Sequence, residues 1–97
     1  MTIEKSMADG RLTLKVSGRL DTNTSPDLLA ALKCDGVTSV EFDFADLEYI
    51  SSAGLRVLMS AQRTVIPDGG KVIISRPNEM VRGVLDMTGL SSVFDIV

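Results

Sequence analysis

The chain has 97 residues, 44% of them hydrophobic, with ten basic and thirteen acidic side chains and a net charge of −3. That length argues for one domain over residues 1–97, with apolar material for a single core. The basic residues form no cluster, which argues against nucleic acid and against a polybasic membrane anchor, and the absence of histidine removes the commonest general base and metal ligand.

Thr2 to Met7 predicts a short strand, and Asp9-Gly10 is hairpin chemistry. Arg11 to Ser17 then alternates, with Leu12, Leu14 and Val16 on one side and Arg11, Thr13 and Lys15 on the other, as a half-buried antiparallel partner strand does. Gly18 to Pro26 reads as a loop rich in hydroxyls and amides. Ser25 reads as an N-cap before Pro26 at the first helical position. Leu28, Leu29, Ala31 and Leu32 give a short amphipathic helix to about Lys33, ended by Asp35-Gly36. Cys34, the only cysteine, reads as a reduced, half-buried residue at that helix end. A lone cysteine allows neither an intrachain disulfide nor a cysteine-cluster zinc site.

Val40, Phe42 and Phe44 alternate with Glu41, Asp43 and Ala45 in the next strand. The stretch Leu47 to Leu58 follows, where a strand's connection enters a helix running to about Ile66. Leu55, Leu58, Met59, Gln62, Val65 and Ile66 mark one face of that helix, and Arg56, Ser60 and Arg63 the other. Pro67-Asp68-Gly69-Gly70 terminates it. Lys71 to Ser75 is a nearly continuous apolar run, which predicts an interior strand covered on both faces. Asn78 reads as an N-cap, and Val81, Val84, Leu85 and Thr88 as the inward stripe of a third helix. Gly89 reads as its C′ residue with Leu90 behind it, and Phe94 to Val97 as a last short strand. The order β-β-α-β-α-β-α-β predicts an α/β domain with a mixed, mostly parallel sheet and helices packed on it. No signal-peptide pattern opens the chain, and no apolar run approaches the ~18 residues of a membrane span, so a cytoplasmic protein is expected.

Without histidine, a serine triad is excluded. Lys5, Lys15, Lys33 and Lys71 share no local motif with Ser51 or Ser52, and no glycine-rich nucleotide-binding pattern is present. Asp43 and Asp46 read as solvated or capping carboxylates at a strand end. The first strand lacks the acidic pair of a phospho-receiver domain. No catalytic residue, metal or cofactor is therefore expected. The chemistry that remains is Ser51-Ser52. Ser52 at a helix start reads as an N-cap worth about 1 kcal/mol. The same hydroxyl, in the field of a helix N-terminus, can also accept a phosphate. The two readings are compatible.

Tyr49-Ile50-Ser51-Ser52-Ala53-Gly54-Leu55-Arg56-Val57-Leu58 resembles the signature of bacterial anti-sigma factor antagonists, the single-domain STAS proteins. Gly18-Arg19-Leu20-Asp21 is similar to that family's Gly-x-Leu-Asp, Val40 to Phe44 to its strand before the signature, and Val84 to Leu90 to its third helix and exit. The resemblance implies a STAS-like fold and a binding protein, not an enzyme. It implies an anti-sigma factor with serine-kinase activity as partner, phosphorylation by it at Ser52, and removal of the phosphate by a PP2C-type phosphatase. The unphosphorylated chain would sequester the anti-sigma factor and so release a sigma factor or other client. The implied partner-binding residues are Asp21, Thr22, Asn23, Thr24, Ser51, Ala53, Gly54 and Arg56. Ser51 stands where many members have aspartate and Ala53 where many have serine or threonine, so Ser51 is the second candidate phosphoacceptor. Lys33 to Ser39 is shorter than the matching segment of many members. Asp21 also reads as a turn former, and Arg56 and Arg63 as solvated charges or as contacts to a negatively charged partner. The alternative function is a constitutive scaffold using the same helix face without phosphorylation.

Overall fold

The computed structural model describes residues 1–33, 36–65 and 70–97. The readings of Cys34 and Asp35, of the Val65 and Ile66 side chains, and of Pro67-Asp68-Gly69 lie outside what it describes. Strands β1 (Thr2–Ala8) and β2 (Arg11–Leu20) open the chain, followed by helix α1 (Ser25–Ala31). Next come β3 (Ser39–Asp43), β4 (Leu47–Ile50) and α2 (Ser52–Ser60), which passes into a π-helical turn, Ala61–Val65. The chain ends with β5 (Lys71–Ser75), α3 (Glu79–Met87), a 3-10 turn (Leu90–Ser92) and β6 (Asp95–Ile96).

Asp9 and Gly10 both take positive φ, 51° and 83°, as a two-residue hairpin of the twist-compatible kind requires. β1 pairs β2 antiparallel, and every other pairing is parallel, in the order β1-β2-β3-β5-β6 with β4 on β2. The mixed, mostly parallel sheet is therefore as expected. The element order is not: Gly18 to Leu20 belongs to β2, and Leu47–Ile50 is a strand of its own. β2 pairs β3 over Arg11 to Lys15 and β4 over Gly18 to Leu20, with a register shift between Gly18 and Arg19. Gly18 takes φ 89°, where a side chain would be strained, so the strand bends from one partner to the other there.

Register aligns Leu14, Phe42, Ile74 and Ile96 in one row, and Leu12, Val40 and Val72 in the next. These residues share one core with Leu28 of α1, Leu55 and Leu58 of α2, and Val81 and Leu85 of α3. The opposite face carries Thr13, Glu41, Ile73 and Asp95 in one row and Lys15, Asp43 and Ser75 in another. It is held by polar pairs: Ser75 Oγ donates to Glu41 Oε2 at 3.0 Å, and Arg76 Nη2 to Asp43 Oδ2 at 2.7 Å. β5 is thus interior between β3 and β6, but helices cover one of its faces, not both. Its apolar run arises because Ile73 is half-buried within the polar face. Asp43 and Asp46 are ion-paired to Arg76 and Lys15 respectively.

Helix starts account for several further differences. Thr24, not Ser25, occupies the N-cap position of α1, and Ser25 is buried with its Oγ donating to the Asp21 carbonyl. α1 ends at Ala31, and α2 buries Val57, and the π-helical turn Ala61, while Met59 stays 38% exposed. α3 is capped by Asn78, whose Oδ1 accepts from the Val81 amide at 2.8 Å, and Gly89 follows with φ 78°. Thr88 is exposed and returns its hydroxyl to the Val84 carbonyl.

Candidate functional site at the ends of β2 and β4

β2 and β4 run parallel and finish together, with Leu20 opposite Ile50. The Ser51 amide donates to the Leu20 carbonyl at 2.9 Å, so the two chains leave the sheet side by side. Asp21 begins one exit and Ser51 the other. The carboxyl ends of parallel strands are where α/β sheets commonly build their sites.

Asp21 Oδ1 accepts from the Asn23 amide at 3.0 Å and the Thr24 amide at 3.1 Å. The Thr24 hydroxyl accepts from the Asp21 amide and donates to the Arg19 carbonyl, both at 2.9 Å. The Thr24 amide is the largest influence on the Asp21 carboxyl, holding it below the usual aspartate range. Desolvation opposes that pull, and the Thr24 hydroxyl, the Asn23 amide and the Arg19 charge add to it. Arg19 also lies over the Tyr49 ring, 4.3 Å from its centre, tying β2 to β4. Asp21 is therefore a turn former, Thr24 is half-buried inside the turn, and Thr22 and Asn23 are its exposed tip.

Ser51 has extended backbone, φ −102° and ψ 176°, and is the N-cap of α2. Its Oγ accepts from the Gly54 amide at 3.4 Å, and its carbonyl from the Leu55 amide at 3.0 Å. Ser52 is the first helical residue, exposed, and its hydroxyl has no hydrogen-bond partner among the described residues. The reading of Ser52 as the cap is corrected: the helix begins one residue earlier, because extended Ser51 already offers its carbonyl to the first helical bond. Gly54 is buried, and a Cβ there would stand 2.8 Å from Leu20 Cγ and 2.9 Å from Ile50 Cγ1. It presents no side chain outward and lets α2 lie close on the ends of β2 and β4.

Thr22, Ala53 and Arg56 line one groove of about 260 Å³ between α1 and α2. Three of the eight expected partner-binding residues thus converge on it, with Ser52 immediately before Ala53. The sequence reading missed Pro26, Leu29 and Val57, which line the same groove. Leu29 carried a readable signal. Leu28 and Leu32, one turn apart, already supply the buried face of so short a helix, so Leu29 is surplus to the core and stays 43% exposed. Among the described residues no cluster of three or more metal-ligating side chains occurs, and no helix is long and apolar enough to cross a membrane.

The fold and site together are those of a one-core α/β domain with an exposed serine hydroxyl at the start of α2, next to an apolar groove. The chain belongs to the STAS domain family, whose model matches residues 2–97. It is 29% identical over 99 residues to BtrV of Bordetella bronchiseptica, provisionally named an anti-sigma factor antagonist, covering 99% of this chain and 85% of that protein. It is 25% identical to the anti-sigma-B factor antagonist of Staphylococcus epidermidis, covering 99% and 92% respectively. Among solved structures it is similar to the anti-sigma factor antagonist SpoIIAA in its unphosphorylated form. The TM-score is 0.86 and the identity 21%, over 99% of this chain and 88% of that one. The phosphorylated form of SpoIIAA, from Bacillus, superposes with a TM-score of 0.72 at 19% identity, over 99% and 91%. At these identities the structural likeness establishes the fold.

Proposed function

We propose that this chain is a phosphorylation-switched anti-sigma factor antagonist acting in the cytoplasm. With Ser52 unmodified it sequesters an anti-sigma factor that is also a serine kinase, freeing a sigma factor or another client. With Ser52 phosphorylated it lets that partner go, and a PP2C-type phosphatase resets it. The observation that carries this reading is the division of labour between the two serines. Ser51 is engaged as the cap, whereas the Ser52 hydroxyl is exposed and unengaged. The names of the relatives, and the existence of SpoIIAA in phosphorylated and unphosphorylated forms, support it.

The physics is local. Phosphate adds about −1.5 to −2 charge. The first turn of α2 offers free amides and the positive end of a dipole, so the fold tolerates it. A partner seated over Ser52 must instead desolvate a dianion, at several kcal/mol unless paired. About 1.4 kcal/mol is tenfold in affinity. Asp21, held ionised by its turn, adds like charge beside the start of α2. In this reading Thr22, Asn23, Ser51, Ala53 and Arg56 meet the partner, while Asp21, Thr24 and Gly54 shape the surface they form.

The test is incubation with the cognate kinase and ATP, followed by mass spectrometry and partner-binding measurements. Phosphate on Ser52 with progressive loss of binding is expected. Phosphate on Ser51 alone, or on neither serine, overturns the assignment. Binding indifferent to ATP marks a constitutive scaffold instead.

A further inference from the structure

The groove between α1 and α2 has a specific chemical character. Pro26 and Leu29 line it from α1, Ala53 and Val57 from α2, and Arg56 is the one cation among its lining residues. Leu29 remains 43% exposed although Leu28 beside it is fully buried. Arg56 is exposed, and no carboxylate lies within ion-pair distance of it among the described residues. A volume of about 260 Å³ admits one large apolar side chain. Such a surface offers water few hydrogen-bond partners along its apolar walls, while the unpaired guanidinium favours an anion at its edge.

We propose that this groove receives an apolar side chain adjoining a carboxylate on the protein partner, with Arg56 selecting the carboxylate. The proposal takes from the preceding reading only the identity of that partner, the anti-sigma factor; the groove's chemistry stands on its own residues. It also gives the switch a second lever. Ser52 and Arg56 are spaced i, i+4 on α2 and are therefore neighbours on its surface. An acidic group at position 52 competes for the Arg56 guanidinium and withdraws it from the partner's carboxylate.

The test uses the whole, unmodified chain and three small probes of one shape: 4-phenylbutyrate, 4-phenylbutanol and 4-phenylbutylamine. Binding is followed by amide chemical shifts in nitrogen–proton spectra. Phenylbutyrate is expected to shift Leu29, Ala53, Arg56 and Val57 and to bind more tightly than the alcohol, with the amine weakest. Arg56→Gln is expected to weaken phenylbutyrate by about threefold, as suits an exposed ion pair, and to leave phenylbutanol unchanged. Arg63→Gln, which alters an exposed arginine that does not line the groove, is expected to change neither. Ser52→Glu is expected to weaken phenylbutyrate alone. Equal affinities for the three probes, shifts centred away from the groove, or an Arg56→Gln variant as good as the parent overturns the proposal. Full phenylbutyrate affinity in Ser52→Glu overturns the coupling to position 52. No kinase enters this experiment, so its failure leaves the phosphorylation reading standing, and a failure to phosphorylate Ser52 leaves the groove standing.

Discussion

Asp21 turns one carboxylate oxygen back on the amides of Asn23 and Thr24, and the proton equilibrium of the fold records it. Its carboxyl titrates below the usual 3.8 in the folded chain, so the folded state gives up that proton more readily than the unfolded state. The resulting stabilisation is fully present above the unfolded value and is lost as pH falls through the lower folded value. Asp21→Asn keeps an acceptor for the turn but removes the titration. The expected outcome is a shallower loss of stability in the variant as pH falls through and below the usual aspartate range, read from urea midpoints. Superimposable pH profiles would mean that the turn does not bias the carboxyl. The serines divide in the same way. Ser51→Ala removes a cap and should cost about 1 kcal/mol, whereas Ser52→Ala, at an exposed and unengaged hydroxyl, should stay within about 0.5 kcal/mol. Equilibrium unfolding of the two variants checks this, and a larger loss in Ser52→Ala would reverse the assignment of the cap.

At the scale of elements, α2 sits where it does because Gly54 has no side chain. A methyl placed there meets Leu20 Cγ at 2.8 Å and Ile50 Cγ1 at 2.9 Å, and both side chains are held in the core. Gly54→Ala should gain a few tenths to about 1 kcal/mol from helix propensity yet lose about 1–3 kcal/mol to overpacking, for a net destabilisation. A denaturant midpoint equal to or above that of the parent would show that Leu20 and Ile50 can yield. Asn78 joins two elements at once: its Oδ1 caps α3, and its Nδ2 donates to the Leu47 carbonyl of β4 at 3.0 Å. These dependencies explain what the sequence could and could not disclose. The β1–β2 hairpin, α3 with its Asn78 start and Gly89 exit, and the alternation of β3 are local signals, and each was readable from residue types and spacing. β4 was not, because four residues with only Leu47 and Ile50 buried carry too short a pattern, and its existence depends on the bend of β2 at Gly18. Ser52 was misread as the cap for a related reason. Two adjacent serines are equivalent on paper, and it is the hydrogen bond from Ser51 to Leu20, a contact between distant segments, that fixes which one stops being extended. The groove itself was not legible: Leu29 on α1 carries a local sign of it in being surplus to the buried face, but that it meets Ala53, Arg56 and Val57 of α2 depends on how the two helices lie against each other.

For the whole molecule, the sheet packs its apolar rows and all three helices into a single core on one face, and the Ser52 hydroxyl lies outside that core. A charge added there stays in contact with solvent. Phosphorylation of Ser52 takes the net charge from −3 to about −5. Self-repulsion in an already acidic chain opposes this slightly, and the free amides and dipole at the start of α2 favour it by a few tenths to about 1 kcal/mol. The two effects are of similar size, so the phosphorylated chain should unfold within about 1 kcal/mol of the unmodified one. Its amide spectrum should change only around β2's exit and the first turns of α2. Salt screens the favourable dipole term and the repulsion alike, so the small difference should shrink further as ionic strength rises. Loss of partner binding with an unaltered unfolding midpoint would place the switch at the interface. A phosphorylated chain that unfolds several kcal/mol earlier would instead mean that release follows from disruption of the domain itself, and the binding-surface mechanism would fail.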